Sequence, residues 1–290
     1  YEIGAGLVGS EMCIRDRCDA HVFNWRDIVT TRYKVVLAYD GTNFAGFQRQ
    51  PHQRTVEQVV TKAVNKMAKD PVEPIVIYGA GRTDAGVHAF GQTLHFDLPY
   101  EINPEGVRRG LNSMLPMDTI VKAVSIVPND FHARYDTVGK RYWYRAYQNE
   151  FVDPFKRHYT GHFKFAADID RIQQAIGDLE GRHDFSTFVA SGSQAHDHVR
   201  EIYSAKAWAL PDEREIQFEF CGSGFLYNQV RIMVAVLMEI GQGRRAVDCI
   251  PALLAAKDRE QARGTAPAAG LYMKKVYYEQ NELQADLIKY

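Results

Sequence analysis

The sequence predicts an α+β fold built from two α/β sandwich domains with mainly antiparallel sheets, meeting at a central cleft. The first half reads as strand, helix, strand, strand, helix, strand, and the second half repeats that order of elements with no repeat of sequence. With 290 residues and 46% hydrophobic content, the chain can bury one large core or two ordinary ones.

Residues 1–31 have no initiator Met and no helical or strand period, and read as a disordered or non-native extension. The first strand is Tyr33–Tyr39, followed by an Asp40-Gly41-Thr42-Asn43 turn and the aromatic, polar loop Phe44–Pro51. Thr55 opens a helix as a capping box with Gln58, and Val56, Val59, Val60, Ala63, Val64 and Met67 form its apolar face. Ile75-Val76-Ile77-Tyr78 reads as a short buried strand, and Gln92–Asp97 as the next one. A second helix starts with Asn103 as N-cap and Pro104 in its first turn, and Ile120–Ile126 closes the half. The order is ferredoxin-like, β-α-β-β-α-β, and it assigns residues 32–139 to an N-terminal domain.

The second domain takes residues 140–280, with 281–290 as a tail. Lys140–Tyr147 alternates strictly: Arg141, Trp143 and Arg145 share one face, and Tyr142, Tyr144 and Ala146 the other. Asp168 caps a helix over 169–179, and Ala190 to Val199 forms a polar loop. Ile202–Leu210 and Glu215–Cys221 form a strand pair around Pro211-Asp212-Glu213. Gly222-Ser223-Gly224 leads into an apolar helix over 225–240, a short helix spans 248–256, and Leu271–Tyr278 is the closing strand.

Composition narrows the function classes. The formal net charge is −1, so a polyanion would have to meet a local basic patch. One such stretch exists: Arg134 to His158 carries six Lys/Arg against three Asp/Glu, interleaved with aromatics. The four cysteines, Cys13, Cys18, Cys221 and Cys249, form no C-x-x-C pair and read as free thiols of a reducing, cytoplasmic compartment. No run reaches the roughly 18 apolar residues of a membrane span.

The chain is organised around Gly79-Ala80-Gly81-Arg82-Thr83-Asp84-Ala85-Gly86-Val87-His88-Ala89. Its glycines permit positive φ or close approach of a ligand. A dinucleotide loop fits its first half, but only Ala85 to Gly91 separate it from the next strand, too few for a crossover helix of about a dozen residues. A phosphate loop needs Lys-Ser/Thr where Val87-His88 stands, and an aspartic-protease turn needs Asp-Thr-Gly where Thr83-Asp84-Ala85 stands. Two readings of Asp84 stay open: a carboxylate presented by a tight loop, or a cap for backbone amides.

The other candidates carry similar pairs of readings. Arg231 lies in the apolar helix, either snorkelling at its flank or paired with a carboxylate, of which Asp84 is the obvious one. Tyr142 either fills the core or stacks on a nucleobase. Arg134 and Arg141 either contact phosphates or belong to a solvated basic face. His196-Asp197-His198 resembles a metal fragment without a third ligand. His88 reads as a packing or capping residue of the central loop, and His183 as a candidate groove residue.

Several motifs occur in a telling order. Tyr39-Asp40-Gly41-Thr42-Asn43-Phe44-x-Gly46-Phe47-Gln48-Arg49-Gln50 precedes the Gly81–Ala89 stretch. Phe131-His132-Ala133-Arg134, Lys140-Arg141-Tyr142-Trp143-Tyr144, His183–Phe188, Gly224–Arg231 and Gly270-Leu271-Tyr272 follow. This set, from about Arg32 to Tyr278, closely resembles the tRNA pseudouridine synthase A family, which isomerises uridines at positions 38, 39 and 40 of the tRNA anticodon stem-loop. The resemblance implies a homodimer binding tRNA across both subunits, with no metal or organic cofactor. It implies that Asp84 is the catalytic aspartate, that Tyr142 packs on the target base and that Arg231 pairs with Asp84. Arg82 is implied as the loop arginine that helps flip the base or hold its place in the stack, and Leu271 as an apolar pocket residue. Phe47 stands where many family members have Trp, and residues 1–31 have no counterpart. The alternatives are a non-catalytic RNA-binding module using the same cleft and a nucleotide-cofactor enzyme using the Gly79 loop.

Overall fold

β1 (Thr31–Tyr39) has the alternation of a strand covered on one face: Tyr33, Val35, Leu37 and Tyr39 are buried and the residues between them are partly exposed. In the computed structural model, which describes residues 30–288, this strand pairs antiparallel with β3 (His88–Leu98) and β4 (Thr119–Val127). The extension expected over 1–31 therefore lies outside the described residues except at its end, where Thr31 already belongs to β1. α1 (Val56–Met67) is capped by Thr55, whose hydroxyl accepts from the Gln58 N–H, and α2 (Pro104–Asn112) by Asn103, which accepts from the Glu105 N–H.

The strand expected over 75–78 shrinks to β2 (Tyr78–Gly79), which pairs with His95 and Leu94 of β3. The reason is local. Asn65 of α1 takes both backbone groups of Ile75, accepting its N–H at 2.8 Å and donating to its carbonyl at 3.1 Å. With those groups engaged by a side chain, no ladder forms, and Val76 stays exposed.

The second half contributes β5 (Gly139–Gln148), β6 (Gly161–Phe163), α3 (Ile169–Ile176), β7 (Gly181–Asp184), β8 (Val199–Leu210) and β9 (Glu215–Gly222). It continues with α4 (Gln229–Gly241), α5 (Cys249–Ala256), β10 (Leu271–Tyr277) and α6 (Gln280–Ile288). The sheet order is β4-β1-β3-β10-β5-β9-β8-β7, with β2 attached to β3 and β6 to β5. Parallel pairing occurs at β10–β3 and β5–β6, and the other pairs are antiparallel. The α+β class with mainly antiparallel pairing is as the sequence predicts. The two halves nevertheless share one sheet, because β10 inserts between β3 and β5, pairing Tyr272 with His88 and Met273 with Tyr142.

One hydrophobic core joins both halves, from Val35, Leu94 and Val60 to Tyr144, Phe218 and Leu237. α4 is buried almost all round, which fits its near-continuous apolar sequence. It begins at Gln229, later than position 225, because Asn228 takes a left-handed conformation (φ 58°) that cannot sit inside a helix.

The tail expected over 281–290 is instead largely α6. Leu283 is buried against Cys221 and Tyr277, and Asp286 accepts from Lys275 at 2.7 Å and from the Tyr277 hydroxyl at 3.0 Å. Its mixed sequence carries two apolar anchors, Leu283 and the partly buried Leu287, beside ion-pairing groups, so the short helix depends on what it docks against.

Candidate active site

The segment 80–87 is held from three sides. Ala80 donates its N–H to the Thr93 carbonyl at 2.7 Å, and Gln92 donates to the Gly81 carbonyl at 2.8 Å. The Tyr39 and Thr83 hydroxyls bond at 2.7 Å in the interior. The Phe47 N–H donates to the Thr83 carbonyl at 2.9 Å. Gly46 permits that approach: its φ is +101°, and a Cβ there would lie 2.7 Å from the Thr83 oxygen. Gly79 has no room for a side chain either, since a Cβ would meet the Phe47 ring at 2.5 Å. The loop therefore joins two antiparallel strands, β2 and β3, rather than a strand and a helix. A dinucleotide site has no helix N-terminus here to hold a pyrophosphate.

Asp84 does not cap the turn with its side chain. Its backbone carbonyl accepts from Val87 at 3.1 Å, while its carboxylate faces Arg231, with Nη1 at 3.6 Å from Oδ2. Arg231 stands in the first turn of α4 and is aimed by the loops around it. Its Nε donates to the Ala266 carbonyl at 2.8 Å and its Nη1 to Asn228 Oδ1 at 2.7 Å. Burial pushes the Asp84 carboxyl above the ordinary aspartate range, and the Arg231 guanidinium offsets part of that rise.

Tyr142 on β5 is 8% exposed and meets Phe225 edge-on, with ring centroids 5.1 Å apart. Burial, reinforced by Tyr39 and the Asp84 charge, pushes its phenol far above the ordinary range, so Tyr142 stays neutral at physiological pH. Leu271 opens β10 opposite Tyr144 and is also nearly buried. Arg82 projects from the loop and donates to Gln194 at 3.4 Å. Asp84, Arg82, Tyr142, Leu271 and Arg134 all line one open cleft of about 1280 Å³ between the two halves of the chain.

Arg141 is placed elsewhere, which corrects its expected phosphate contact. It lies on the opposite face of β5, 3% exposed, paired with Glu219 at 2.8 Å and donating to the Asp286 carbonyl of α6. Trp143 donates to the same carboxylate at 2.6 Å. The alternation already put Arg141 and Tyr142 on opposite faces, so both could not serve one cleft.

The structure adds cleft residues that sequence reasoning passed over. Lys140 lies on the Tyr142 face of β5, Arg200 is the second residue of β8, and Gln194 comes from the polar loop. For Lys140 the signal was available in the alternation. For Arg200 and Gln194 none was, since their approach to the cleft depends on the path of residues 190–200. His183 bonds the Glu180 carbonyl and packs edge-on against Phe185, away from the cleft. His88 is buried, accepting from the Gly41 N–H and donating to the His158 carbonyl, and burial pushes its imidazolium down against the opposing pull of the Asp40 carboxylate 3.2 Å away, which leaves it a neutral packing residue. Among the described residues no group of three or more His, Cys, Asp or Glu side chains is placed to hold a metal ion, and His196 and His198 gain no third ligand. Among the same residues no helix is long and apolar enough to cross a membrane.

The sequence matches the family model described as tRNA pseudouridine synthase over residues 35–136 and 175–279, more than half of the chain. The chain belongs to the tRNA pseudouridine synthase family. Among relatives named tRNA pseudouridine synthase A, that of Ligilactobacillus salivarius is 61% identical over 254 residues, covering 88% of this chain and 99% of that protein. The Leuconostoc citreum protein is 58% identical over 256 residues, covering 87% and 98%. The synthase has only a weak likeness, TM-score 0.31 at 11% identity, to a solved Cbf5-Nop10-Gar1 complex, covering 71% of this chain and 54% of that one. The segments matched by the family model contain the Asp84 loop, Arg134, Arg231 and Leu271. The break between them, 137–174, holds β5 with Tyr142.

Proposed function

We propose that this protein isomerises uridine to pseudouridine at positions 38–40 of the tRNA anticodon stem-loop, with Asp84 as the essential carboxylate. Family membership makes it an isomerase acting on tRNA. The observation that carries the residue assignment is the Asp84 carboxylate itself, turned into the cleft and opposed by Arg231, with no backbone amide taking it as a cap.

The reaction breaks the N1–C1′ bond, rotates the uracil, joins C5 to C1′ and removes the C5 proton. A carboxylate serves it by attacking C6, by attacking C1′, or by taking a ribose proton to give a glycal. Each route needs Asp84 ionised, which the Arg231 charge favours. The neutral Tyr142 ring supplies a face for the uracil and cannot act as the base. A uridine within a paired stem must leave its stack to reach the cleft, and Arg82, exposed at the cleft edge, is the residue we assign to that step. Leu271 completes the apolar wall and Arg134 meets a phosphate.

We further propose a cytoplasmic homodimer with tRNA spanning both subunits, as the family resemblance implies. Sedimentation of the protein with and without tRNA checks this, and a monomer in both states would overturn it. The activity is tested by incubating wild-type protein with an unmodified tRNA transcript labelled at uracil C5 and mapping the modified positions. Tritium release with pseudouridine at 38, 39 or 40 is expected. Tight tRNA binding without release would instead identify a non-catalytic RNA-binding module.

A further inference from the structure

We infer that Lys140, Arg134 and Arg200 form a cradle for a phosphodiester of the RNA backbone, and that Lys140 ties that phosphate to the loop carrying Asp84. This rests on the tRNA reading above.

Lys140 projects from β5 on the Tyr142 face, and its Nζ donates to the Ala80 carbonyl at 2.7 Å, four residues ahead of Asp84. A Cβ at Gly81 would lie 3.4 Å from this Nζ and 3.3 Å from Met273, so the glycine leaves the ammonium its place. An ammonium has three N–H donors. Ala80 takes one, and no carboxylate lies within ion-pair distance of Lys140 among the described residues.

The charges that act on Lys140 are Arg134 and Arg200, both cations and both on the cleft wall. Neither is paired with a carboxylate among the described residues. Arg200 spends one nitrogen on the carbonyls of Asp197 and Val199, and Arg134 lies 5.8 Å from the Tyr135 ring centre. Burial first, and then these two neighbours, push the Lys140 ammonium down to about 8. Three cations gathered with no carboxylate paired to any of them among the described residues are unfavourable in the free protein and become favourable when an anion arrives. Phosphodiesters are the anions that tRNA supplies, and charge-assisted hydrogen bonds hold them. The phosphate contact assigned by sequence to Arg141 thus falls to its neighbour, because strand alternation aims Lys140 at the cleft and Arg141 away from it.

The test is binding of unmodified tRNA transcript to full-length Asp84→Asn protein over a series of KCl concentrations. Loss of one phosphate contact lowers the slope of log Kd against log salt by about 1. Because the three cations share one phosphate, Lys140→Met and Arg200→Ala are each expected to lower the slope by part of that amount and the double variant by about all of it, while Lys140→Arg keeps the parent slope. In the wild-type background Lys140→Met also lowers kcat, because the Ala80 carbonyl loses its strut, whereas Arg200→Ala raises KM alone. Parent slopes in both Lys140→Met and Arg200→Ala, with unchanged thermal midpoints, would overturn the cradle. Should Lys140→Met not fold, the slopes of Arg134→Ala and Arg200→Ala decide it. Reduced slopes in a protein whose wild type makes no pseudouridine would sink the proposed activity and leave the cradle standing.

Discussion

Arg231 and Asp84 meet across the cleft from opposite halves of the chain, with Nη1 at 3.6 Å from Oδ2. That is an ion pair rather than a direct hydrogen bond. The firm bonds of Arg231 go to Ala266 and Asn228, so the guanidinium is positioned by its own half of the chain and presented to the carboxylate. Asp84 keeps its oxygens available while a nearby positive charge favours its ionised form.

Asp84→Asn is expected to abolish pseudouridine formation, a loss on the order of 10⁴-fold or more for a single essential group. It should not lower stability at neutral pH. The folded-state pKa of Asp84 is raised by burial, so the ionised group is a stability cost above that pKa, and the cost disappears as pH falls below the ordinary aspartate range. Thermal midpoints of the two proteins from pH 8 to pH 3 check this: the variant equals or exceeds wild type at pH 8, and any advantage fades in acid.

Arg231→Met removes the charge that offsets burial at Asp84, so the acidic limb of the pH–kcat profile should move to higher pH, with activity lower throughout. Arg231→Lys restores the charge without the fork that reaches both Ala266 and Asn228, and is expected to recover the limb in part. A limb that stays in place in Arg231→Met would show that Arg231 does not control the ionisation of Asp84.

Gly46→Ala places a Cβ 2.7 Å from the Thr83 carbonyl at a φ of +101°. A cost of about 1–3 kcal/mol is expected from the strained backbone, together with displacement of the Asp84 loop. Denaturant unfolding measures the first effect and kcat at saturating tRNA the second. Loss of stability with full kcat would show that the loop tolerates the shift.

Arg141→Met leaves Glu219 buried without its cation and should cost about 3 kcal/mol or more. The salt dependence of tRNA binding should stay at the parent value, in contrast to Lys140→Met. A reduced salt slope would return Arg141 to the RNA-binding surface.

Leu283→Ala empties the contact between α6 and the Cys221–Tyr277 cluster and is expected to cost roughly 2 kcal/mol or more. Turnover per folded molecule should match wild type, since α6 covers the Arg141 face and not the cleft.

Much of this protein is legible in its sequence, because the deciding signals are local. Period-2 alternation set the faces of β1 and β5, capping residues set the starts of α1, α2 and α3, and an ordered set of motifs named the family. The short spacing after Gly81 excluded a dinucleotide helix. The sheet's continuity was not legible: β10 joins β3 and β5 through backbone hydrogen bonds, which leave no residue signature. Asn65 disrupted the strand expected over 75–78, and α6 emerged only from its docking partners. The same limit governs the site. Asp84 stood out by its loop, but the meeting of Asp84 with Arg231, and the choice of Lys140 over Arg141 for the cleft, depend on how distant segments pack. Sequence by itself determined the elements and the candidate chemistry. Only the tertiary structure decided which charges face one another, because contacts between residues far apart in the chain are set by packing rather than by local pattern.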